Sequence, residues 1–368
     1  MRKPALKPGQ DPELAANGAI TVGAHVYGHH SELEDESGLV WPLCQLLDGT
    51  RTTDDLVQAM AAEHGATADQ VRQILNLFRD NGWLTDHAAP VPDDLTEQDL
   101  ERHSRTLEFF TNIDTSPRTN PYELLGRLRG AKAAVLGLGG VGSSAAAGLA
   151  ATGVGHLHCV DFDHVEVSNL NRQILFTERD VGQAKADVVA EWLRALDPGV
   201  SVTTARARLG SASEITSAID GADVVFSCAD TPIGPAGFDA WVNEACFAAG
   251  IPWLTAAYSG PKYSLVTYIP GQTGCYACLQ AAFTERRPGG ATPTEIKLPP
   301  FRGAIAASAQ IAGHAMALEG IYLLLGMPVQ TAGRELHRHL TDYEFCYFLE
   351  AEPRPDCPVG CGSLLGRE

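Results

Sequence analysis

The sequence predicts an α/β chain: a Rossmann-like, mostly parallel sheet with flanking helices, preceded by a small N-terminal winged-helix-like unit. Three observations predict it. Residues 133–138 form an apolar run that enters the glycine turn Gly137-Leu138-Gly139-Gly140-Val141-Gly142. A helix of small residues and a second apolar strand ending on Asp161 follow. Beyond them, apolar strands alternate with amphipathic helices, the order of βαβ units.

At 368 residues the chain has room for two or three domains. Its content, 45% hydrophobic and 20% charged, is that of a soluble globular protein. A formal net charge of −18 argues against a nucleic-acid partner, which needs a basic face. The first residues carry charge without an apolar core after them, so no secretory signal is expected. Residues 305–325 are apolar but include Gln310, His314 and Glu319, which suits a buried helix better than a membrane span. Nine cysteines without a signal suggest a reducing cytoplasm, where cysteine pairs point to metal or catalysis before disulfides.

Residues 18–88 read as a separate unit. Ile20–His29 has strand character, and Leu39, Val40 and Trp41 open a helical segment. Thr52 with Asp55, and Thr67 with Gln70, have the spacing of capping boxes that start two helices. Val71, Ile74, Leu75 and Phe78 share one helical face, and DNGWLTD closes the unit with a turn and a short strand. Residues 89–99, rich in proline and acid, read as a linker. The large domain spans 100–368. It opens with a helix over 100–109 carrying Arg102 and Arg105, then strand 133–138, helix 142–152 and strand 156–161. A helix over 181–196 has Ala184, Val188, Trp192 and Leu196 four apart, and strands follow at 223–228 and 252–255.

The chemistry concentrates at the glycine turn. Between a strand and a helix, the first glycine makes the turn, the second admits the ligand's backbone approach, and the third lets helix and strand pack closely. Helix N-terminal N–H groups then face phosphate, and Asp161 stands where an acid binds ribose. These residues alone suit a nicotinamide dinucleotide equally. The polar string Ser168-Asn169-Leu170-Asn171-Arg172-Gln173, with Lys185 in the next helix, adds a guanidinium, an ammonium and an amide that can surround a triphosphate. Asp230 follows the apolar strand DVVFSC and can hold Mg²⁺ against phosphate oxygens at the strand's carboxyl end.

The motifs RHSR, GLGGVG, VDFD, SNLNRQ, DVGQAK, CADTP and GCYAC resemble the ubiquitin-activating-enzyme-like (ThiF/MoeB-type) adenylating enzymes, from residue 100 to the C-terminus. The resemblance implies that Gly137, Gly139, Gly140, Gly142, Asp161, Asp163, Ser168, Asn169, Arg172, Lys185 and Asp230 bind ATP and Mg²⁺. It also implies that Arg105 reaches into a partner subunit's site in a homodimer. The chemistry would be attack of a carboxylate on the α-phosphate with loss of pyrophosphate. Arg105, Arg172, Lys185 and Asp230 with its Mg²⁺ would act there, steadying the charge that develops. A carboxylate is already ionised near neutral pH, so no general base is needed.

Cys275-x-x-Cys278 and Cys357-x₃-Cys361 can close a Cys₄ zinc site that tethers the tail. The second pair has three intervening residues where the family usually has two. Between Cys278 and Cys346 there is no cysteine, whereas family members that pass the product to sulfur use one in this loop. A nitrogen nucleophile is therefore expected to capture the acyl-adenylate. The missing loop cysteine, the Ala229-Asp230-Thr231-Pro232 string and the N-terminal unit resemble the branch that modifies short ribosomal peptides, as in microcin C biosynthesis. There the N-terminal unit clamps the peptide. Loop 286–303, with Arg286, Arg287, Lys297 and Arg302, would cross the active site. The expected function is ATP-dependent adenylylation of a peptide C-terminus. Activation of a sulfur-carrier protein, and a non-catalytic peptide-binding subunit, are the alternatives.

Overall fold

The structure is a computed structural model and describes residues 1–23, 30–229, 237–286, 303–350 and 352–364. The chain divides into two compact units, Met1–Arg127 and Leu128–Glu368.

The first unit contains β1 (Pro4–Leu6), β2 (Pro12–Leu14), β3 (Ile20–Val22), β4 (Ser31–Leu33), α1 (Val40–Leu46), α2 (Thr53–His64), α3 (Ala68–Asp80), β5 (Leu84–Asp86), α4 (Glu97–Arg102) and α5 (Ser104–Ile113). Both expected capping boxes form, Thr52 with Asp55 and Thr67 with Gln70. Val71, Leu75 and Phe78 are buried with Ile20, Leu43, Leu56 and Met60 in one core, and Ile74 packs against it. Strand β5 pairs antiparallel with β1, so the unit starts well before residue 18. The central strand β3 pairs with β2 and β4 in a second, three-stranded sheet. Residues 24–29 of the expected strand lie outside the described residues. The expected linker 89–99 lies within this unit, and its last residues already belong to α4, which Thr96 and Asp99 cap as a box. The single helix expected at 100–109 is two helices, because the chain breaks at His103, which is 1% exposed. Helix α6 (Tyr122–Gly130) runs across the division into the second unit.

The second unit contains β6 (Lys132–Leu136), α7 (Gly140–Thr152), β7 (His156–Val160), α8 (Lys185–Leu196), β8 (Ser201–Ala205), α9 (Ala212–Ala218), β9 (Val224–Ser227), α10 (Phe238–Ala249), β10 (Trp253–Ser259), β11 (Lys262–Tyr268), α11 (Tyr276–Glu285), α12 (Ala306–Leu325), β12 (Arg334–His339), β13 (Cys346–Glu350) and α13 (Cys361–Leu364). The sheet order is β13-β12-β11-β10-β9-β6-β7-β8. Strands β8, β7, β6, β9 and β10 run parallel, and β11, β12 and β13 continue antiparallel. The fold is therefore the expected mixed α/β, mostly parallel sheet with helices. Helix α12 is the buried helix expected at 305–325. Its Glu319 carboxylate accepts from Thr331 N–H and Oγ1 at 2.8 and 2.6 Å. No helix among the described residues is long and apolar enough to cross a membrane.

Small residues let α7 lie close to its neighbours. A Cβ on Gly313 of α12 would stand 2.6 Å from the Val141 carbonyl oxygen. Helix α8 begins four residues later than expected. Gly182 turns with φ +88°, and residues 182–184 are tied to 163–165: Val165 N–H donates to Gln183 O at 2.8 Å, Gly182 N–H to Val165 O at 2.9 Å, and His164 and Ala184 form an antiparallel bridge. The helix then buries Val188, Val189 and Leu193, while Trp192 and Leu196 of the expected stripe stay half-exposed.

Candidate nucleotide-binding site and cysteine cluster

Strand β6 is central: the chain leaves it through α7 to β7 on one side and returns through β9 on the other. Ligands bind at the carboxyl ends of strands at such a reversal. Gly137 stands there with φ +96°, and a Cβ on it would come within 2.8 Å of Ala229 N. A Cβ on Gly142 would run into the Gly137 carbonyl oxygen. A Cβ on Gly140 would come within 2.9 Å of Ala309 Cβ. The turn thus holds glycines because backbone, helix and strand fill the space a side chain would take. Gly139 is the N-cap of α7 with no side-chain cap, and the first intrahelical bond runs from Ser143 N–H to Gly139 O at 3.0 Å. The N–H groups of residues 140–142 precede that ladder and suit an anion.

Asp161 has a structural task in the described residues. Its carboxylate accepts the Leu138 N–H at 2.6 Å and the Asp163 N–H at 2.7 Å, so it ties the glycine turn to the loop after β7. Lys185 opens α8, 5% exposed; its N–H donates to Asp163 O at 3.0 Å and its Nζ to Asp163 Oδ2 at 3.2 Å. Arg172 Nη1 donates to Ser168 O at 2.8 Å and to Asn171 Oδ1 at 2.9 Å, while Gln310 Nε2 holds the Arg172 carbonyl at 3.1 Å. Asn169 is 6% exposed, and its Oδ1 accepts from Glu166 N–H at 3.1 Å. Gly137, Gly139, Asp161, Asp163, Asn169, Arg172 and Lys185 line one cavity of about 290 Å³. Ser168 is exposed on the same loop, its Oγ donating to Glu166 Oε2 at 3.1 Å.

Gly140 and Gly142 shape the turn without lining the cavity. Two further expected residues are not brought to this cavity by the described structure. Asp230 lies outside the described residues, as do 287–302 of the long loop. Arg105 belongs to the first unit, its side chain 87% exposed and paired with Glu108 Oε2 at 2.6 Å. Residues that sequence reading missed also line the cavity: Phe162, Gln173, Arg208, Cys228 and Phe238. Gln173 is 3% exposed with no hydrogen-bond partner for its Oε1 among the described residues. Its place in the SNLNRQ string was the one available signal.

At the other half of the unit, the Sγ atoms of Cys275, Cys278, Cys357 and Cys361 all lie within 4.8 Å of one another. Cys275–Cys357 and Cys278–Cys361 are 3.4 Å apart and Cys275–Cys278 3.9 Å. Sulfurs at Zn–S bonds of about 2.3 Å around a tetrahedron stand about 3.8 Å apart, so the set fits that ion. The extra residue of the second pair is absorbed in a turn: Gly360 takes φ +66° and donates to Cys357 O at 2.9 Å. Burial pushes the Cys275 thiol up to about 12 and raises Cys361 further. Cys357 is lowered: burial opposes this, but hydrogen bonds from Cys361 and Cys275 outweigh it.

The ThiF family pattern matches residues 114–359. The molybdopterin-synthase adenylyltransferase of Escherichia coli is 29% identical over 73% of this chain and 99% of its own length. The sulfur carrier protein adenylyltransferase of Thermus thermophilus is 34% identical over 73% of this chain and 92% of its own. The SAMP-activating enzyme E1 of Haloferax volcanii is 35% identical over 64% of this chain and 82% of its own. Among solved structures, E. coli MccB with MccA-N7isoASN superposes with a TM-score of 0.75 over 98% of this chain and 100% of that one, at 19% identity. E. coli MccB with ATP gives 0.73 over the same shares, also at 19%. At that identity the likeness is one of fold.

Proposed function

The chain belongs to the ThiF family and is an adenylyltransferase; from that premise we propose that it uses ATP to activate the C-terminal carboxyl or carboxamide residue of a ribosomally made peptide, in natural-product biosynthesis of the microcin C kind. The first unit carries this reading. The family pattern begins at residue 114 and the molybdopterin-type relative covers 73% of the chain, whereas the MccB fold extends over 98% of it. That unit presents β2 and β4 as the outer strands of its three-stranded sheet, and an extended peptide can add to such an edge.

In the proposed mechanism the α-phosphoryl group rests at the N-terminus of α7. Lys185 and Arg172 face it, and the peptide carboxylate attacks as pyrophosphate leaves. Fixed cations serve here because negative charge concentrates on the phosphoryl oxygens at the transition state. The Lys185 ammonium is already oriented by Asp163, so little reorganisation is required. Asp230, three residues past the last residue of β9 in the sequence, is the proposed ligand of a magnesium ion, which when bound would neutralise the leaving oxygens. Arg105 is proposed to complete the site of a partner protomer in a homodimer. The four cysteines would hold a structural zinc ion. With no cysteine between Cys278 and Cys346, the proposed acceptor of the activated acyl group is a nitrogen.

The test is mass spectrometry of short peptides encoded beside the gene, incubated with protein, ATP and Mg²⁺. A peptide that gains an adenylate, or loses water with release of AMP, is the expected result. Pyrophosphate release with a protein ending in Gly-Gly, and with no short peptide, would favour a second reading, activation of a sulfur carrier. The names of the curated relatives favour that alternative.

A further inference from the structure

The rim of the nucleotide cavity carries a stacked pair that the phosphate chemistry does not use. Phe162 follows Asp161 at the exit of β7 and is 47% exposed. Arg208, in the loop after β8, places its guanidinium carbon 4.9 Å from the centre of that ring, and both residues line the cavity. The backbone beside Arg208 is anchored, because Arg206 grips the Asp187 carboxylate of α8 with two N–H groups, one at 3.0 Å. Among the described residues Arg208 has the Phe162 ring as its partner and no carboxylate.

The geometry points to Phe162 and Arg208 as the holder of the nucleobase: the base lies on the ring and Arg208 closes over its outer face. The inference rests on the adenylyltransferase reading, and it assigns the base end of the cavity and a residue that sets nucleotide affinity. The triphosphate belongs at the N-terminus of α7 near Lys185 and Arg172, and Asp161 marks the ribose, so the base must lie beyond it, where Phe162 stands. An aromatic ring accepts the face of any base, and a planar guanidinium stacks as a lysine ammonium cannot. Two stacking contacts of about 3.5 Å need roughly 7 Å between Phe162 and Arg208. At 4.9 Å the pair is closed on itself, so Arg208 must lift as the base enters and settle on it afterwards.

The test compares ATP, AMP and inorganic tripolyphosphate by calorimetry on the full chain. Arg208→Ala should weaken ATP and AMP by the same factor, about threefold to thirtyfold, and leave tripolyphosphate unchanged. Arg208→Lys should behave as the alanine variant. The triphosphate of 2-aminopurine riboside should lose fluorescence on binding the wild type and keep it with Phe162→Ala. An equal loss for tripolyphosphate, or full affinity in Arg208→Lys, overturns the inference and makes Arg208 a phosphate ligand. Wild-type protein that binds tripolyphosphate as well as ATP overturns it while sparing the phosphate end. Wild-type protein that binds neither overturns the adenylyltransferase reading as well.

Discussion

The nucleotide cavity and the cysteine cluster share one unit but prepare for their ligands in opposite ways. At the cavity two of the charges are already matched: Lys185 has Asp163, and Asp161 has two backbone N–H groups. The cavity keeps its shape by internal bonds. At the cluster, four buried or half-buried thiols crowd within 4.8 Å, and burial raises Cys275 and Cys361. Only Cys357 is eased toward the thiolate, by hydrogen bonds from Cys361 and Cys275 that outweigh its burial, so a bound cation is needed to hold all four as ligands. One site should therefore lose rate without losing structure when altered, and the other the reverse.

The largest expected effect tests the second half of that contrast. Structural zinc sites contribute on the order of 10 kcal/mol to folding. Cys278→Ser should abolish zinc in the purified protein, lower the melting temperature by roughly 10 °C or more, and expose residues 352–360 to protease. Unchanged metal content and melting would erase the contrast. On the cavity side, Lys185→Ala should reduce pyrophosphate release by about 10²- to 10³-fold, with a melting temperature close to that of the wild type. The Asp163 side chain, 49% exposed, can turn to water when its partner is gone. A melting loss matching that of the cysteine variant would show that the ion pair holds the fold.

The smallest effect concerns protons beneath the cavity. Asp239 follows Phe238 at the start of α10. Burial pushes its carboxyl up to about 6, only partly offset by hydrogen bonds from Ser227, at 2.6 Å, and Thr255. Its folded value thus lies above the unfolded one, so the native state holds the proton more tightly. Stability should fall as pH rises from about 4 to about 6 and lose nothing further from this group above that. The term is on the order of 1–3 kcal/mol. Asp239→Asn should flatten that slope in denaturant titrations; an unchanged slope would assign the proton elsewhere.

Legibility in the sequence followed the range of the forces involved. The β6–α7–β7 segment was readable because its signals are local: an apolar run, glycines at fixed offsets, an acid at the strand end. The start of α8 at Lys185 escapes the sequence because periodicity carries no trace of the ladder between 163–165 and 182–184. The break at His103 had no glycine or proline to announce it. Strand β12, RELHRH, is half-buried throughout and offers no alternation to read. Phe162 and Arg208 meet only because β7 and β8 are neighbours in the sheet, a pairing no local pattern records.

The short ladder between 163–165 and 182–184 pinches residues 166–181 into a loop with a fixed neck. Lys185 sits at the neck and Arg172 out on the loop. An insertion near the loop's tip would therefore shift the guanidinium while sparing the ammonium. The two positive charges are therefore adjustable one at a time: the loop can re-aim the guanidinium while the neck keeps the ammonium where it is.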